Sequence, residues 1–126
     1  PYSRADFQRH DAALRQKEAR HMYLARDATG NVHSVAYLIW DQQSVYYHLS
    51  GDDPAHRSSG SGMLMIWEGI RYAKEDLGLA TFDFEGSMMK PVGAIRRQFG
   101  ATPVPYSRIW RYDSLLYALI DQIRNS

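Results

Sequence analysis

The apolar pattern of this chain changes its period at a short serine- and glycine-rich stretch, HRSSGSG, residues 56–62. Before it, residues 21–27, 32–41 and 44–51 are rich in β-branched and aromatic residues and predict three strands. The apolar residues that recur after it at helical spacing are Met63, Ile66, Trp67, Ile70 and Leu77. Trp67 is therefore expected in the core. The chain must pass from a meander of strands directly into a helix that covers the sheet.

Turn and capping residues set the order of the other elements. Ser3 and Asp6 have the spacing of a capping box and predict a helix over residues 3–19. Gly30 and Asn31 can take the positive φ that a tight hairpin between the first two strands requires. The elements predicted after the long helix are a strand at 80–86, a helix at 90–100, a strand at 104–112 and a helix at 114–125. This order predicts an α/β or α+β domain in which helices pack on a single sheet.

Length and composition limit the class of protein. With 126 residues the chain has room for one domain, and its formal charge of +1 provides no clustered positive charge for duplex nucleic acid. The absence of cysteine excludes disulfides and thiolate zinc sites, and a cytoplasmic location is the expectation. No apolar run approaches the ~20 residues that span a bilayer. The histidines His10, His21, His33 and His56 show neither HxH nor HExxH spacing, so no metal site is predicted.

The loop itself has the form Arg57-x-x-Gly60-x-Gly62 and lies between a predicted strand and the first turn of a predicted helix. It is not a Walker loop, because no lysine follows the final glycine, and it lacks the third glycine of a dinucleotide fingerprint. Glycines let the backbone approach an anion, and a helix N-terminus offers unpaired N–H groups. The residues predicted to bind a diphosphate are Arg57, Ser58, Ser59, Gly60, Ser61 and Gly62. The alternative is a solvated turn that caps the helix with Ser59 or Ser61.

This strand, loop and helix resemble the Gln/Arg-x-x-Gly-x-Gly/Ala unit of the GNAT superfamily, in which the loop holds the pyrophosphate of coenzyme A. Three downstream segments, FDFEGSM at 82–88, RRQFGA at 96–101 and PYSRIWRY at 105–112, resemble the C-terminal domain of Fem-type proteins. These tandem-domain GNAT-like proteins, also described as FemAB or BioF2-like, include peptidoglycan-bridge aminoacyltransferases. The resemblance implies a mixed, mostly antiparallel sheet flanked by helices. It also implies that residues 1–126 are one GNAT-like domain, the C-terminal part of a longer protein whose N-terminal GNAT-like domain is its partner.

The resemblance implies transfer of an acyl or aminoacyl group from acyl-CoA (acetyl-CoA) or aminoacyl-tRNA to the amine of a small molecule or a peptidoglycan precursor. Backbone groups of residues 45–50 would bind the pantetheine arm. Many GNAT enzymes protonate the thiolate with a tyrosine on the helix after the strand predicted here at 80–86, but residues 87–99 contain none, and Tyr106 and Tyr112 lie further on. The alternative function is a non-catalytic GNAT-like domain that binds a ligand or a partner.

Acyl transfer to an amine needs a base, and three side chains are candidates. Asp83 and Glu85 share one face of the strand predicted at 80–86, because successive strand residues alternate sides, and Glu85 is the first choice. His48, on the strand before the loop, could act as a base near neutral pH, or it could be a satisfied strand residue. The carboxylates could instead be held in structural ion pairs. The arginines available for such pairs are Arg96, Arg97 and Arg108.

Overall fold

The computed structural model describes residues 3–86 and 90–107 and the single residues 109, 114, 120 and 123. Its elements are α1 (Arg4–Gln16), β1 (Arg20–Arg26), β2 (Val32–Trp40), β3 (Ser44–Asp52), a 3-10 helix (Pro54–Ser59), α2 (Ser61–Glu75), β4 (Thr81–Asp83) and α3 (Lys90–Gln98). The strands form one sheet in the order β1-β2-β3-β4, with β4 parallel to β3 and the other pairs antiparallel. The predicted fold class, a mixed and mostly antiparallel sheet with helices, is confirmed.

The first helix and the first hairpin begin and turn at the residues predicted to set them. Ser3 Oγ accepts the Asp6 backbone N–H at 3.1 Å, so α1 starts with the expected cap. Asp27 Oδ1 accepts the Asn31 backbone N–H at 2.9 Å, and Gly30 has a φ of 93°, which closes the turn between β1 and β2. Hydrogen bonds between residues close in sequence are therefore sufficient to set the start of α1 and the turn between β1 and β2.

The strand predicted at 104–112 is not present in its described part. Residues 104–107 form no strand. Pro103 and Pro105 explain this, because proline has no N–H to donate to a sheet. The rest of the strand predicted at 104–112, and most of the helix predicted at 114–125, lie outside the described residues.

The helices α1 and α2 cover opposite faces of the sheet. Successive residues of a strand point to opposite faces, and two neighbouring residues of β2 contact different helices. Tyr37 lies toward α1, since its ring is 5.3 Å from that of Phe7 and its hydroxyl donates to Asp11 Oδ1 at 2.9 Å. Burial and this hydrogen bond raise the pKa of Tyr37 to about 12. Leu38, the next residue, lies toward α2 and approaches Gly69. No helix in the described part of the chain is long and apolar enough to cross a membrane.

The core lies between the sheet and α2. Leu38 and Val45 of the sheet are fully buried. The buried residues of α2 are Met65, Ile66, Gly69 and Ala73. The expectation that Trp67 belongs to the core is wrong, because Trp67 is 54% exposed. It lies about 200° around the helix from Gly69 at 3.6 residues per turn, on the side of α2 that faces away from the sheet.

Gly69 sets how closely α2 approaches the sheet. A Cβ at this position would lie 3.2 Å from Phe82 Cζ and 3.4 Å from Leu38 Cδ1. We expect Gly69→Val to lower the free energy of unfolding by about 1–3 kcal/mol, the usual cost of overpacking a core. Urea unfolding followed by circular dichroism measures this loss. Gly93→Val in α3 is the control, because a Cβ there meets only Arg97 Nη1, at 3.7 Å, and a change within about 0.5 kcal/mol is expected. Equal losses at the two positions would contradict the close packing.

Candidate functional site

The connection from β3 to α2 begins with a 3-10 helix that the sequence did not indicate. Asp53 Oδ1 accepts the Ala55 backbone N–H at 2.9 Å, and Pro54 supplies the fixed φ of a first helical residue. The turn ends at Gly60, whose φ of 77° lies in the left-handed region that favours glycine. The helix α2 then begins at Ser61. The predicted order of strand, loop and helix is present, and Gly60 is the residue that turns the chain into the helix.

Two serines of this loop and Ser34 of β2 form a chain of hydrogen bonds that ends on Asp52. Ser34 Oγ donates to Asp52 Oδ1 at 2.6 Å and lies 2.5 Å from Ser61 Oγ. Because a carboxylate only accepts, the Ser34 proton is committed to Asp52, and Ser61 must donate to Ser34. Ser59 Oγ in turn donates to Ser61 Oγ at 2.9 Å. The hydroxyl protons of Ser59 and Ser61 therefore point back along this chain, while Ser58 lies exposed on the 3-10 helix.

Gly62 lies against the same carboxylate. A Cβ on Gly62 would be 2.9 Å from Asp52 Oδ1, closer than real Cβ contacts come. Asp52 cannot move aside without weakening its hydrogen bond to Ser34. The two glycines of the motif thus have different structural roles. Gly60 adopts the left-handed turn, and Gly62 lets the loop pack closely against Asp52, which is hydrogen-bonded to β2.

The groups left to bind an anion are the backbone N–H groups of residues 62 and 63 and the guanidinium of Arg57, which together we call the anion cradle. The first N–H groups of a helix lack intrahelical partners and carry a partial positive charge. Arg57 is exposed, and among the described residues its guanidinium has no hydrogen bond or ion pair. The N-cap position of α2 is Gly60, which has no side chain to cap the helix. Of the serine cap considered as the alternative, one long hydrogen bond is present: Ser59 Oγ accepts the N–H of Ser61, the first residue of α2, at 3.3 Å.

The second part of the site lies where β4 leaves β3. The parallel pairing covers three residues and ends with Tyr46 opposite Asp83. β3 continues to Asp52, so in the part of the chain that the structure describes its edge beyond Tyr46 has no strand partner on the β4 side. An extended ligand could form hydrogen bonds along this open edge as an added strand would.

His48 is the extra residue of a β-bulge in β3. On β2, Tyr37 is opposite Leu49 and Leu38 is opposite Tyr47, so β3 has one more residue than its partner between these pairs. A bulge changes the direction of the side chain it carries, and bulges are common beside functional sites. The His48 ring lies on the α1 face of the sheet, 6.4 Å from the ring of Tyr37. The one irregularity in the β2–β3 pairing therefore falls at a candidate base.

His48 and Glu85, two of the three candidate bases, are in contact. His48 Nδ1 is 2.8 Å from Glu85 Oε1, and the side chains are 13% and 39% exposed. Because a carboxylate accepts, Nδ1 carries a proton, and in the neutral ring the lone pair is on Nε2. A base that is oriented in this way by an acid is a recurring catalytic arrangement.

The backbone of Glu85 is fixed by two neighbours. Its φ of 54° is in the left-handed region, its N–H donates to Asp83 Oδ1 at 2.7 Å, and its carbonyl accepts from Arg96 Nη1 at 2.7 Å. Asp83, the third candidate base, thus holds the residue that contacts His48. Within the described residues neither carboxylate forms an ion pair with Arg96 or Arg97, and Arg108 lies outside them.

Tyr106 lies beside Gly86, although it is not on the helix where the family resemblance would place a tyrosine. A Cβ on Gly86 would be 3.5 Å from Tyr106 Oη, so the hydroxyl is next to the residue that follows Glu85. Tyr106 is 79% exposed, and a ligand can therefore reach it. Tyr112, the other tyrosine considered, lies outside the described residues.

A further group of side chains borders the loop, and no sequence pattern singled it out. Asp27, His33 and His56 each offer one potential metal-ligand atom, and these atoms lie within 4.8 Å of one another. Asp27 and His33 line an open cleft of about 340 Å³ together with Gly60 and Ser61. The three residues come from the first hairpin and the 3-10 helix, and only the tertiary fold brings them together.

Sequence comparison defines the class of protein that this fold and loop represent. A family model described as an acetyltransferase (GNAT) domain matches residues 1–91. The chain therefore belongs to the GNAT acetyltransferase family, which implies an acyl-CoA donor and an amine acceptor. The resemblance to the GNAT superfamily is confirmed at this level. No curated protein sequence matches the chain significantly.

Solved structures agree on the fold. AAC(6')-Iy, in complex with the bisubstrate analogue CoA-S-monomethyl-acetylneamine, has a TM-score of 0.70 at 11% identity, covering 90% of this chain and 82% of that one. The aminoglycoside antibiotic 6'-N-acetyltransferase AAC(6')-IG from Acinetobacter haemolyticus has a TM-score of 0.67 at 15% identity, covering 90% and 83%. Glucosamine-6-phosphate N-acetyltransferase from Arabidopsis thaliana has a TM-score of 0.66 at 11% identity, covering 90% and 81%. At such identities the similarity shows the fold and leaves the substrate open.

The contact between Gly62 and Asp52 predicts the effect of adding one methyl group to the loop. Gly62→Ala places its Cβ 2.9 Å from Asp52 Oδ1 and pushes this carboxylate away from Ser34. We expect the free energy of unfolding to fall by about 1–3 kcal/mol, as for a buried group that loses its hydrogen-bond partner. Guanidinium unfolding measures this change. The control is Gly51→Ala, whose Cβ meets only Val35, at 3.8 Å. If both variants unfold at the same midpoint, Asp52 does not fasten the loop.

Proposed function

We propose that this chain is the acyl-transferring domain of a GNAT N-acyltransferase, which binds an acyl-CoA and moves its acyl group to the amine of an acceptor. The observation that carries the proposal is the contact between His48 and Glu85 at the point where β3 and β4 separate. An ammonium must lose a proton before its nitrogen can attack, and an oriented imidazole is suited to accept it. The anion cradle lies further along the same open strand edge.

The distance between the two parts of the site suits an extended carrier. Four residues of β3 lead from His48 to Asp52, about 13 Å at the rise of a strand, and the loop follows. A carrier with its diphosphate on the anion cradle and its arm along the edge of β3 brings its thioester to His48. The amides of the arm can bond the edge groups of residues 49–52. AAC(6')-Iy, with which this chain shares its fold, is bound to an analogue that contains CoA.

The proposed mechanism assigns a group to each step of the transfer. His48 accepts a proton from the ammonium of the acceptor and passes it to solvent, while Glu85 stabilises the imidazolium through the Nδ1–H. The amine nitrogen attacks the thioester carbonyl carbon, the C–N bond forms, and the C–S bond breaks with its electron pair on sulfur. His48, neutral again, accepts the second proton from the nitrogen, and Tyr106 gives its hydroxyl proton to the thiolate and regains one from solvent. Asp83 holds the Glu85 N–H and takes no proton.

We extend this proposal to a Fem-type setting, in which the domain is the C-terminal one of a tandem protein and the acceptor is an amine of a cell-wall precursor. The support comes from a hydrogen bond between two Fem-like segments. Arg96, in segment 96–101, donates to the backbone carbonyl of Glu85, in segment 82–88. An aminoacyl-tRNA is the other donor used in that branch. A net charge of +1 favours the smaller acyl-CoA over a large polyanion, because tRNA binding relies on many basic contacts.

Titration with acetyl-CoA tests the anion cradle. We expect saturable binding of one molecule per chain by calorimetry, with a dissociation constant between ~1 µM and ~1 mM. Gly60→Glu should weaken it at least ~10-fold, because it puts a negative charge beside the diphosphate. Gly78→Glu is the matched control, since Gly78 also has a positive φ and open space around it but lies beyond the far end of α2. Binding that Gly60→Glu leaves unchanged, or no saturable binding at all, would exclude coenzyme A from the loop.

Substitution of the three candidate bases separates proton transfer from positioning. We expect Glu85→Gln and His48→Gln to lower kcat/KM by about 10²–10⁴, the range of general-base catalysis, with acetyl-CoA affinity unchanged. Asp83→Asn keeps an oxygen that accepts the Glu85 N–H, so it should cost less than ~10-fold. Release of free thiol measures turnover, and circular dichroism checks folding. Wild-type rates in Glu85→Gln or His48→Gln remove the pair from the mechanism.

The same assays decide between catalysis and a binding module. A panel of amines that covers aminoglycosides, glucosamine 6-phosphate and a peptidoglycan precursor gives the domain a wide choice of acceptors. If acetyl-CoA binds normally and none of these amines is acylated, a non-catalytic GNAT-like domain that binds a ligand replaces the proposal. Acylation of the precursor alone supports the Fem-type setting.

A further inference from the structure

We propose that Asp27, His33 and His56 bind a divalent transition-metal ion beside the anion cradle. Their potential ligand atoms lie within 4.8 Å of one another, and His33 Nε2 is 3.2 Å from Asp27 Oδ2. Nitrogen and oxygen ligands about 2.1 Å from one ion are separated by about 3.0–3.4 Å, so this pair is already at ligand spacing. Binding of the ion releases the proton that His33 Nε2 donates to this carboxylate. The sequence predicts no metal site because these residues share no motif, and the proposal does not depend on the function proposed above.

His56 is oriented by a carboxylate, as metal-binding histidines usually are. Its Nδ1 is 3.1 Å from Asp53 Oδ2, and Asp53 is itself held by the Ala55 N–H through its other oxygen. The proton of the neutral ring is therefore on Nδ1, which leaves the Nε2 lone pair for a metal ion. This second carboxylate lies outside the cluster and is an independent observation in its favour.

Asp27 is a preorganised anionic ligand. Its Oδ1 accepts the hydroxyl of Thr29 at 2.7 Å and the backbone N–H of Asn31 at 2.9 Å. These hydrogen bonds fix the direction of the carboxylate, with Oδ2 toward His33. A cation placed there meets a negative charge that needs no rearrangement.

One ring must turn to complete the site. The rings of His33 and His56 are stacked, with centroids 4.1 Å apart and planes 17° apart. Lone pairs of stacked rings run nearly parallel, so both nitrogens can reach one ion only after one ring rotates. His56 is the ring better able to turn, because it lies on the 3-10 helix and its side chain is 33% exposed, against 16% for His33. The side chain of Asp53, itself 42% exposed, must move with the ring to keep the Nδ1 hydrogen bond.

The donor atoms select the kind of ion. Two imidazole nitrogens and one carboxylate oxygen suit Zn²⁺, Co²⁺ or Ni²⁺, whereas Mg²⁺ and Ca²⁺ prefer oxygen ligands. Three protein ligands leave one coordination position open in a tetrahedral site. Asp27 and His33 line the same cleft as Gly60 and Ser61, so water or a phosphate oxygen that enters this cleft can reach the ion.

Titration of the chelator-treated chain with ZnCl₂ tests this site. We expect one Zn²⁺ per chain by calorimetry, a rise in Tm, and Co²⁺ absorption bands of a four-coordinate site. His56→Gln, on an exposed turn where folding is not at risk, should raise the dissociation constant at least ~100-fold. Asp53→Asn should raise it by about 10–100-fold, as for other residues that orient a metal ligand. His33→Gln supplies a second ligand variant.

His21→Gln is the matched control, because His21 is a partly exposed strand histidine stacked on Tyr72 and belongs to neither site. It should bind Zn²⁺ as the unchanged chain does. The absence of saturable binding up to ~1 mM Zn²⁺, or equal affinity in the unchanged chain and in His56→Gln and His33→Gln, overturns the proposal. So does a loss of affinity in His21→Gln as large as that in His56→Gln. Circular dichroism of each variant confirms that the comparison is between folded chains.

Discussion

The hydrogen bond between Asp52 and Ser34 is the contact on which the geometry of the site depends. Ser34 is 2% exposed in β2, Asp52 ends β3, and the chain of hydrogen bonds continues from Ser34 to Ser61, the first residue of α2. Two strands and the helix α2 therefore meet at this point. Because α2 supplies the anion cradle and β3 carries His48, the contact fixes one part of the site relative to the other. Breaking this hydrogen bond leaves the buried Ser34 hydroxyl without its acceptor, which lowers the free energy of unfolding.

Much of the fold and the loop could be predicted because they depend on interactions between residues that are close in sequence. Ser3 and Gly30 mark the cap and the hairpin turn within a few residues of the elements they set. The Arg57-x-x-Gly60-x-Gly62 spacing identified the loop for the same reason. Trp67 shows the limit of such patterns. Its spacing correctly predicted a helix. The face of α2 that packs on the sheet is set by Gly69, which lets the helix approach the sheet closely, and this depends on tertiary packing.

The candidate site itself could be predicted residue by residue but not as an arrangement. Glu85 and His48 were rival bases on sequence grounds, whereas the structure makes them partners across 37 positions of sequence. Their contact depends on the bulge at His48, which a single sequence does not reveal because it is a property of strand pairing. The same holds for Asp27 and His56, which meet only once the first hairpin and the 3-10 helix are folded.

Glu85 has a backbone conformation that its own side chain disfavours. A φ of 54° costs a residue with a Cβ about 1–2 kcal/mol, and glycine would avoid that cost. Glycine at this position would therefore favour stability, whereas the proposed mechanism needs the carboxylate that only a longer side chain brings to His48. Under that proposal, the steric cost at Glu85 is what the domain accepts in order to orient its base.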